Sequence, residues 1–303
     1  MDNAVPKIEG HATFYAHLKA GRIDKARIIG LDGERFVESI LVGRKYYEAP
    51  VITSRICGIC PVIHNVTSTK GIEAALGIEA SRQTKLLRKL MLCGQMIQSH
   101  SLHLYLLVLP DFVGASSSFE LQKSHADLFQ NAVTLKKYSD LIVMTIGGRA
   151  VHPVSNVPGG FKKIPEESEL KKILRDSENI IEICQKTLTL FNSFDYPSLS
   201  REMIYSALSD DKEYAYYEGI IRSTAGDQFN ANKYHDYIYE ELKPYNRAKF
   251  ATFKGKIMMV GAAARCNLNG KLLNHSLINF AKSQKINIGG FDNSFDNLMA
   301  QAI

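Results

Sequence analysis

The stretch RQTKLLRKLMLCGQMIQSHSLHLYLLVL, residues 82–109, decides the fold. Its leucine, methionine and isoleucine residues recur at helical spacing, which is typical of helices that bury one face. The apolar run is interrupted by His103 and ends at Pro110 and Asp111, so it is not a membrane span. We therefore expect residues 82–109 to form the centre of a helical core.

Upstream of this stretch the pattern changes twice. After Pro61 the period is helical, and one face of the predicted helix carries Val62, Val66, Thr69, Ile72 and Ala75. Residues 9–42 instead alternate between apolar and polar positions, with turn signals at residues 20–21 and 32–33. That alternation predicts an N-terminal antiparallel β-meander.

Downstream, residues 125–146 predict another helix, and residues 147–160 predict a shaped loop because they contain four glycines and two prolines. Residues 166–190 predict a charged helix with a solvated face, and residues 255–261 a short strand. The predicted fold class is α+β, mostly helical, with a small mixed C-terminal lobe. Its regions are a β-rich lobe (1–50), a helical core (51–215) and a mixed lobe incomplete at its C-terminal end (216–303).

The composition excludes several classes of protein. The 303 residues are 45% hydrophobic and 22% charged, as in globular proteins and unlike disordered or collagen-like chains. A net charge of +6 is too small to indicate nucleic acid as a partner. The five cysteines are too few and scattered for a disulfide scaffold, and the N-terminus lacks a signal-peptide pattern. We therefore expect a cytoplasmic protein.

Residues 55–64, Arg-Ile-Cys-Gly-Ile-Cys-Pro-Val-Ile-His, carry the strongest chemical signal. Cys57 and Cys60 are three residues apart just ahead of the predicted helix, so both sulfurs can face one metal ion. The partial positive charge of a helix N-terminus favours the thiolate, which is the form that binds metal. His64 follows Cys60 by four residues, so its ring can donate a hydrogen bond to that sulfur.

A single Cys-x-x-Cys pair is also typical of half a zinc site, of a thioredoxin-like redox pair or of an incidental pair. The redox interpretation is weakened because no βαβ pattern surrounds the pair. Two thiolates do not complete a metal site. The other three cysteines are each expected to be small buried apolar residues: Cys93, Cys184 and Cys266. The missing ligands should lie outside this chain, unless the site is a relic.

The pattern Arg-x-Cys-Gly-x-Cys-x-x-x-His resembles the N-terminal metal motif of the nickel-iron hydrogenase large subunit. Residues 8–11, 35–44 and 99–105 resemble further segments of that family in the same order, the last being similar to its cytosolic, cofactor- or heterodisulfide-linked branch. Residues 147–160 and 260–265 also look like family segments. Several motifs in order are far more specific than one.

The resemblance implies a hydrogenase, which splits dihydrogen heterolytically or reduces protons at a nickel-iron centre whose iron carries cyanide and carbon monoxide. It implies Cys57 as a terminal nickel ligand and Cys60 as a ligand that bridges nickel and iron. His64 would hydrogen-bond to the bridging sulfur. Glu38 matches an acidic residue that helps to bind magnesium, and Glu9 matches a glutamate that relays protons.

The resemblance also implies partners. An iron-sulfur small subunit would carry the clusters, because this chain has no cysteine set for them, and further subunits would pass electrons to NAD(P), deazaflavin or a heterodisulfide. His100, His103 and Arg149 fall in matching segments and are expected only to support the site. Family members close the site with a second Cys-x-x-Cys near the C-terminus. This sequence ends at Ile303 without one, so we expect a C-terminally truncated large subunit.

Other classes of protein remain as alternatives. A metal-free structural relative, like the homologous subunit of respiratory NADH dehydrogenase, would keep the fold, but intact Cys57, Cys60 and His64 argue against it. An inactive truncated fragment is a further alternative. A zinc-binding or nucleic-acid-interacting protein would need a second ligand pair or a basic stripe interleaved with aromatic residues, and neither is visible in the sequence.

Overall fold

The computed structural model describes residues 4–31 and 36–303, and only the backbone of Phe36. The helices it describes are α1 (Phe36–Leu41), α2 (Ala49–Thr53), α3 (Pro61–Leu76), α4 (Arg82–Ser101), α5 (Leu109–Phe112), α6 (Ser118–Ser124), α7 (Ala126–Gly147), α8 (Glu167–Asn192), α9 (Ala262–Asn269), α10 (His275–Ser283) and α11 (Asp296–Ala302). The strands are β1 (Ala12–Lys19), β2 (Arg22–Gly30), β3 (Asn156–Val157), β4 (Gly160–Phe161), β5 (Ile204–Ser209), β6 (Ile220–Ser223), β7 (Gln228–Phe229), β8 (Ile238–Leu242), β9 (Lys249–Phe253) and β10 (Met258–Met259).

Helices α3, α4, α7 and α8 form the predicted helical core. Their apolar faces meet in one buried cluster that includes Val62, Met91 and Ile146. Helices α4 and α7 approach closely at Gly94, where an added Cβ would lie only 2.9 Å from Ile142 Cγ2. The backbone contact between these two helices therefore depends on the absence of a side chain at this position.

A second buried cluster surrounds the continuation of α4 and joins it to α8, α9 and α11. Residues 82–109 are helical throughout, as predicted, but Leu102–Val108 form a π-helix between α4 and α5. Pro110 has no N–H to donate to the preceding turn, and a wider helical turn is a common way to accommodate such a break.

The sheets are small. Strands β1 and β2 form an antiparallel hairpin, and β8 and β9 form another. A four-stranded sheet has the order β10-β5-β6-β7, in which β10 runs parallel to β5 and the other pairs are antiparallel. The mixed lobe predicted toward the C-terminus is present, and the α+β fold class is confirmed.

Two local predictions were wrong. Residues of the predicted meander up to Val42 do not continue as strand, since Phe36–Leu41 form α1. Apolar residues in this segment lie at positions 36, 37, 40 and 41, which is helical spacing rather than alternation. On α3, Ala75 is exposed and Glu73 is buried instead. A buried ionic partner for Glu73, described below, explains that difference.

Within the described residues, every helix is too short or too polar to cross a lipid bilayer.

Candidate metal centre

The two motif cysteines lie in a turn that ends where α3 begins. Their Cα atoms are 5.3 Å apart, and the structure joins the two sulfurs in a disulfide. Cys57 is buried, and its sulfur accepts a hydrogen bond from the backbone N–H of Cys60 at 3.0 Å. Both side chains therefore point to one place, and reduction of the pair would present two sulfurs to one metal ion.

The ring of His64 lies against this pair. Its Nε2 is 3.5 Å from Cys60 Sγ, the contact expected from the spacing of four residues along α3. Burial lowers the pKa of His64 below its ordinary value, so the ring is neutral at pH 7. A neutral imidazole carries one N–H that can be donated to a sulfur.

The carboxylate of Glu9 reaches the same turn from the N-terminal segment. Its Oε1 accepts a hydrogen bond from the backbone N–H of Gly58 at 3.3 Å, and the side chain is otherwise exposed. The Arg55 guanidinium donates to the carbonyl of Val51 at 2.8 Å. Glu9 thus links solvent to the residue between the two cysteines.

A buried glutamine on α4, which the sequence analysis did not single out, supports the turn. The side-chain amide of Gln95 donates to the carbonyl of Ile59, and its Oε1 accepts from the backbone N–H of Val62 at 2.9 Å. Gln98, one turn further along α4, contacts Gln95 at 3.4 Å and donates to Asp140 on α7 at 2.5 Å. A row of polar residues therefore leads from α7 to the cysteine turn.

A buried ion pair joins α3 to α4. The Arg88 guanidinium, fully buried, binds both carboxylate oxygens of Glu73 at 2.7 and 2.8 Å and donates to Asn156 and to the Tyr217 hydroxyl. Burial by itself would raise the pKa of Glu73, but hydrogen bonds from Arg88 and from the backbone of Gly159 hold that pKa below its ordinary value. The carboxylate therefore stays charged inside the protein.

The same network holds the predicted glycine-rich loop, residues 147–160, beside the cysteine turn. Asn156 donates to Asn65 at 2.9 Å, and Asn65 donates to the carbonyl of Pro50. His152, in the left-handed region at φ 57°, places its Nδ1 2.8 Å from the carbonyl of Ser54, three residues before Cys57. The loop is thus a support for the segment that carries the thiols.

Other predicted residues lie elsewhere. Glu38 is exposed on α1, and Arg149 is exposed in the loop. His100 and His103 both face α11, with their Nδ1 atoms 3.2 Å from the Gln301 carbonyl oxygen and 2.7 Å from Gln301 Oε1. These four residues share no contact with the cysteine turn.

The three remaining cysteines differ in burial. Cys266 is buried as expected, while Cys93 and Cys184 are half-buried and line a cavity of about 190 Å³ between the core helices and α11. Burial raises the pKa of Cys184 to about 11, so this thiol is protonated at pH 7. None of the three contacts the Cys57–Cys60 pair.

The donor set fits half of a thiolate metal site. Two sulfurs converge, and a histidine is placed to hydrogen-bond to one of them. In residues 4–31 and 36–303, no group of three or more His, Cys, Asp or Glu side chains is placed to hold a metal ion. A nickel-iron centre held here would therefore need ligands from outside the described residues.

Comparison with known proteins decides the family. A sequence profile described as nickel-dependent hydrogenase matches residues 35–146. Sulfhydrogenase 1 subunit alpha of Pyrococcus furiosus is 31% identical over 301 residues, which are 99% of this chain and 70% of that protein. The chain belongs to the nickel-dependent hydrogenase large-subunit family.

A second relative is sulfhydrogenase 2 subunit alpha of the same organism, which is 32% identical to this chain. The match covers 88% of this chain and 62% of the relative. The chain therefore spans about two thirds of the length of these relatives. The crystal structure of an NAD⁺-reducing [NiFe]-hydrogenase in the H2-reduced state has the same fold, with a TM-score of 0.86 at 24% identity, over 99% of this chain and 74% of that one. The family resemblance predicted from the motifs is confirmed.

Proposed function

We propose that this chain forms part of the large subunit of a nickel-iron hydrogenase and contributes Cys57 and Cys60 to its metal centre. The observation that carries the proposal is the Cys57–Cys60 turn at the start of α3, where His64 Nε2 lies 3.5 Å from Cys60 Sγ. The relatives are named as hydrogenase subunits, which favours this function over a metal-free structural relative.

When bound, the nickel-iron centre, whose iron would carry cyanide and carbon monoxide, supplies heterolytic cleavage of dihydrogen and its reversal. The residues of this chain would hold and tune it. Cys57 would be a terminal nickel ligand and Cys60 a bridging ligand, both as thiolates at the helix N-terminus. The His64 N–H would draw electron density from the Cys60 sulfur.

Glu9 would move protons between the site and solvent. It is exposed, yet it touches the Gly58 backbone between the two ligands, so it can exchange a proton with solvent and lies beside the metal position. Glu38 is proposed as a magnesium ligand on its motif position alone. Magnesium would complete its coordination with further oxygen ligands, water among them.

Partner subunits would complete the enzyme. An iron-sulfur small subunit would receive the electrons, and a further subunit would pass them to NAD(P), deazaflavin or a heterodisulfide. We propose that this complex is cytoplasmic, because residues 99–105 resemble the cytosolic branch of the family. The remaining metal ligands, whether on another chain or on a longer form of this one, would face the Cys57–Cys60 turn.

The test is hydrogen-dependent reduction of a dye by the complex purified with wild-type or variant chain. We expect Cys57→Ser and Cys60→Ser each to abolish the reaction, because an alcohol at either position does not replace a thiolate ligand. Cys184→Ser, at a half-buried thiol outside the turn, is the matched control and should retain activity. Near-full activity in either motif variant would refute the ligand assignment.

A further inference from the structure

The amide side chain of Gln95 forms hydrogen bonds with the backbone of the Cys57–Cys60 turn before and after Cys60. It donates to the carbonyl of Ile59 and accepts from the backbone N–H of Val62, at 2.9 Å. Ile59 lies between the two cysteines, and Val62 is the second residue of α3. A single side chain therefore fixes the backbone one residue before and two residues after one sulfur ligand.

At Val62, water cannot easily replace the Gln95 oxygen, because this hydrogen bond is buried. Gln95 is 1% exposed and Val62 is fully buried. The N–H of Val62 belongs to the first turn of α3, where no intrahelical acceptor is available. A buried N–H or C=O without a partner costs free energy, so loss of the amide would favour a rearranged turn.

Glutamine is the residue type that this position requires. Val62 presents a donor and Ile59 an acceptor, so the side chain must offer one oxygen and one N–H group at the same time. A glutamate would keep the acceptor for Val62 but would set a carboxylate oxygen against the carbonyl of Ile59. A methionine of similar length would serve neither group.

Gln95 also has a long contact with Gln98, which links α4 to α7. Gln98, 2% exposed, accepts from Gln95 at 3.4 Å and donates to Asp140, which binds Lys136 at 2.5 Å. The neighbouring Gly94 brings the two helix backbones together. The turn is thus held by the packed helical core rather than by its own loop.

We propose that Gln95 is a positioning residue that holds the sulfurs of Cys57 and Cys60 in the geometry that chelates a metal. The inference rests on the proposed function of these cysteines as metal ligands. Gln95 touches neither sulfur, and it acts through the backbone at Ile59 and Val62. Loss of a supporting group of this kind is expected to weaken metal capture by roughly 10- to 100-fold.

Phenylarsine oxide tests the geometry without nickel, because its arsenic binds two thiols only when both can reach it. The reduced 303-residue chain is titrated with the arsenical, and a Cys57→Ser chain, which keeps the other four thiols, gives the blank for binding that does not use the Cys57–Cys60 pair. We expect Gln95→Met to weaken capture by roughly 10- to 100-fold and Gln95→Glu by less. Gln98→Met, a buried change one turn away that spares both backbone contacts, should weaken capture least.

Circular dichroism and thermal unfolding show whether each variant folds. If Gln95→Met does not fold, the arsenical affinity of Gln95→Glu tests the proposal instead. Wild-type affinity in both Gln95 variants, or an equal loss in Gln98→Met, would overturn the proposal. Absence of nickel from the complex purified with the wild-type chain would instead refute the proposed function. The arsenical titration contains no nickel, so the two failures are distinguishable.

Discussion

Single residues in this chain carry charge states that depend on their surroundings. His100 on α4 is packed against α11, with its Nδ1 3.2 Å from the Gln301 carbonyl. Burial, and to a smaller extent the nearby Arg265 charge, lower the pKa of His100 from 6.5 to about 4. The unfolded chain therefore binds a proton on His100 at a higher pH than the folded chain does.

The sign of the pH effect follows from this lowered pKa. The contribution of neutral His100 to stability is present above about pH 6.5 and is lost as the pH falls toward 4, by at most about 3 kcal/mol. We expect His100→Asn to flatten the dependence of the unfolding free energy on pH in this window, measured by urea titration at several pH values. His275→Asn, at an exposed position on α10, is the control. An unchanged pH dependence in His100→Asn would contradict this account.

At the residue scale, spacing predicted some of the site and missed the rest. The spacing of four residues between Cys60 and His64 on a helix predicted their contact, and the structure has it. Gln95 was missed because its partners are backbone groups 33 and 36 residues away in the chain, which no local pattern encodes. The signal was a polar residue on the buried face of α4, where Arg88 and Gln98 also lie.

The close packing of helices α4 and α7 depends on a single glycine, Gly94. At Gly94 an added Cβ would lie 2.9 Å from Ile142 Cγ2 and 3.0 Å from Val143 Cγ2, whereas at Gly71 on α3 it would meet nothing within 4 Å. We expect Gly94→Ala to destabilise the fold by about 1–3 kcal/mol through overpacking. Gly71→Ala should stabilise it by about 0.5–1 kcal/mol, since alanine suits a helix interior better.

Urea unfolding of both glycine variants measures the difference. Replacing Ile142 by alanine removes the Cγ2 methyl that the added Cβ would meet. The loss in the Gly94→Ala, Ile142→Ala chain should therefore be smaller than the sum of the losses in the two single variants. Equal effects of the two glycine substitutions would show that α4 and α7 do not approach as closely as described.

The Arg88–Glu73 pair joins α3, α4 and the residue 156–160 segment. Arg88→Met should cost about 3–5 kcal/mol, because it leaves the Glu73 carboxylate buried without its cation. The double variant Arg88→Met, Glu73→Leu should be more stable than Arg88→Met alone, since neither charge is then buried. Chemical denaturation of the three chains checks this order. A double variant less stable than Arg88→Met alone would contradict it.

Element positions were predictable where the apolar period was long. Helices α7 and α8 begin and end within two residues of their predicted bounds. Helix α1 was missed because its six residues are too few for the period to outweigh the alternation that precedes them. The π-helix after Ser101 depends on Pro110 and on packing against other helices, so the period of residues 82–109 could not reveal it.

For the whole molecule, ordered motifs were more informative than any single site. The nickel-iron hydrogenase family was predicted from the Cys-x-x-Cys segment and its neighbours, and the comparisons confirm it. The division into residues 1–50, 51–215 and 216–303 stays a prediction. The metal ligands other than Cys57 and Cys60 could not be assigned to residues. In the described part of the chain, no further His, Cys, Asp or Glu side chains join these two sulfurs in a group that could hold a metal ion.

The measurement that tests the central claim most directly is the content of nickel and iron per polypeptide in the chain purified from its native host with the proteins that accompany it. The account predicts nickel bound to the wild-type chain, with iron in excess of nickel because the iron-sulfur partner adds its own iron, and loss of the nickel in a Cys57→Ser chain prepared in the same way. Absence of nickel from the wild-type preparation would contradict the account, as would nickel that stays bound in the Cys57→Ser chain.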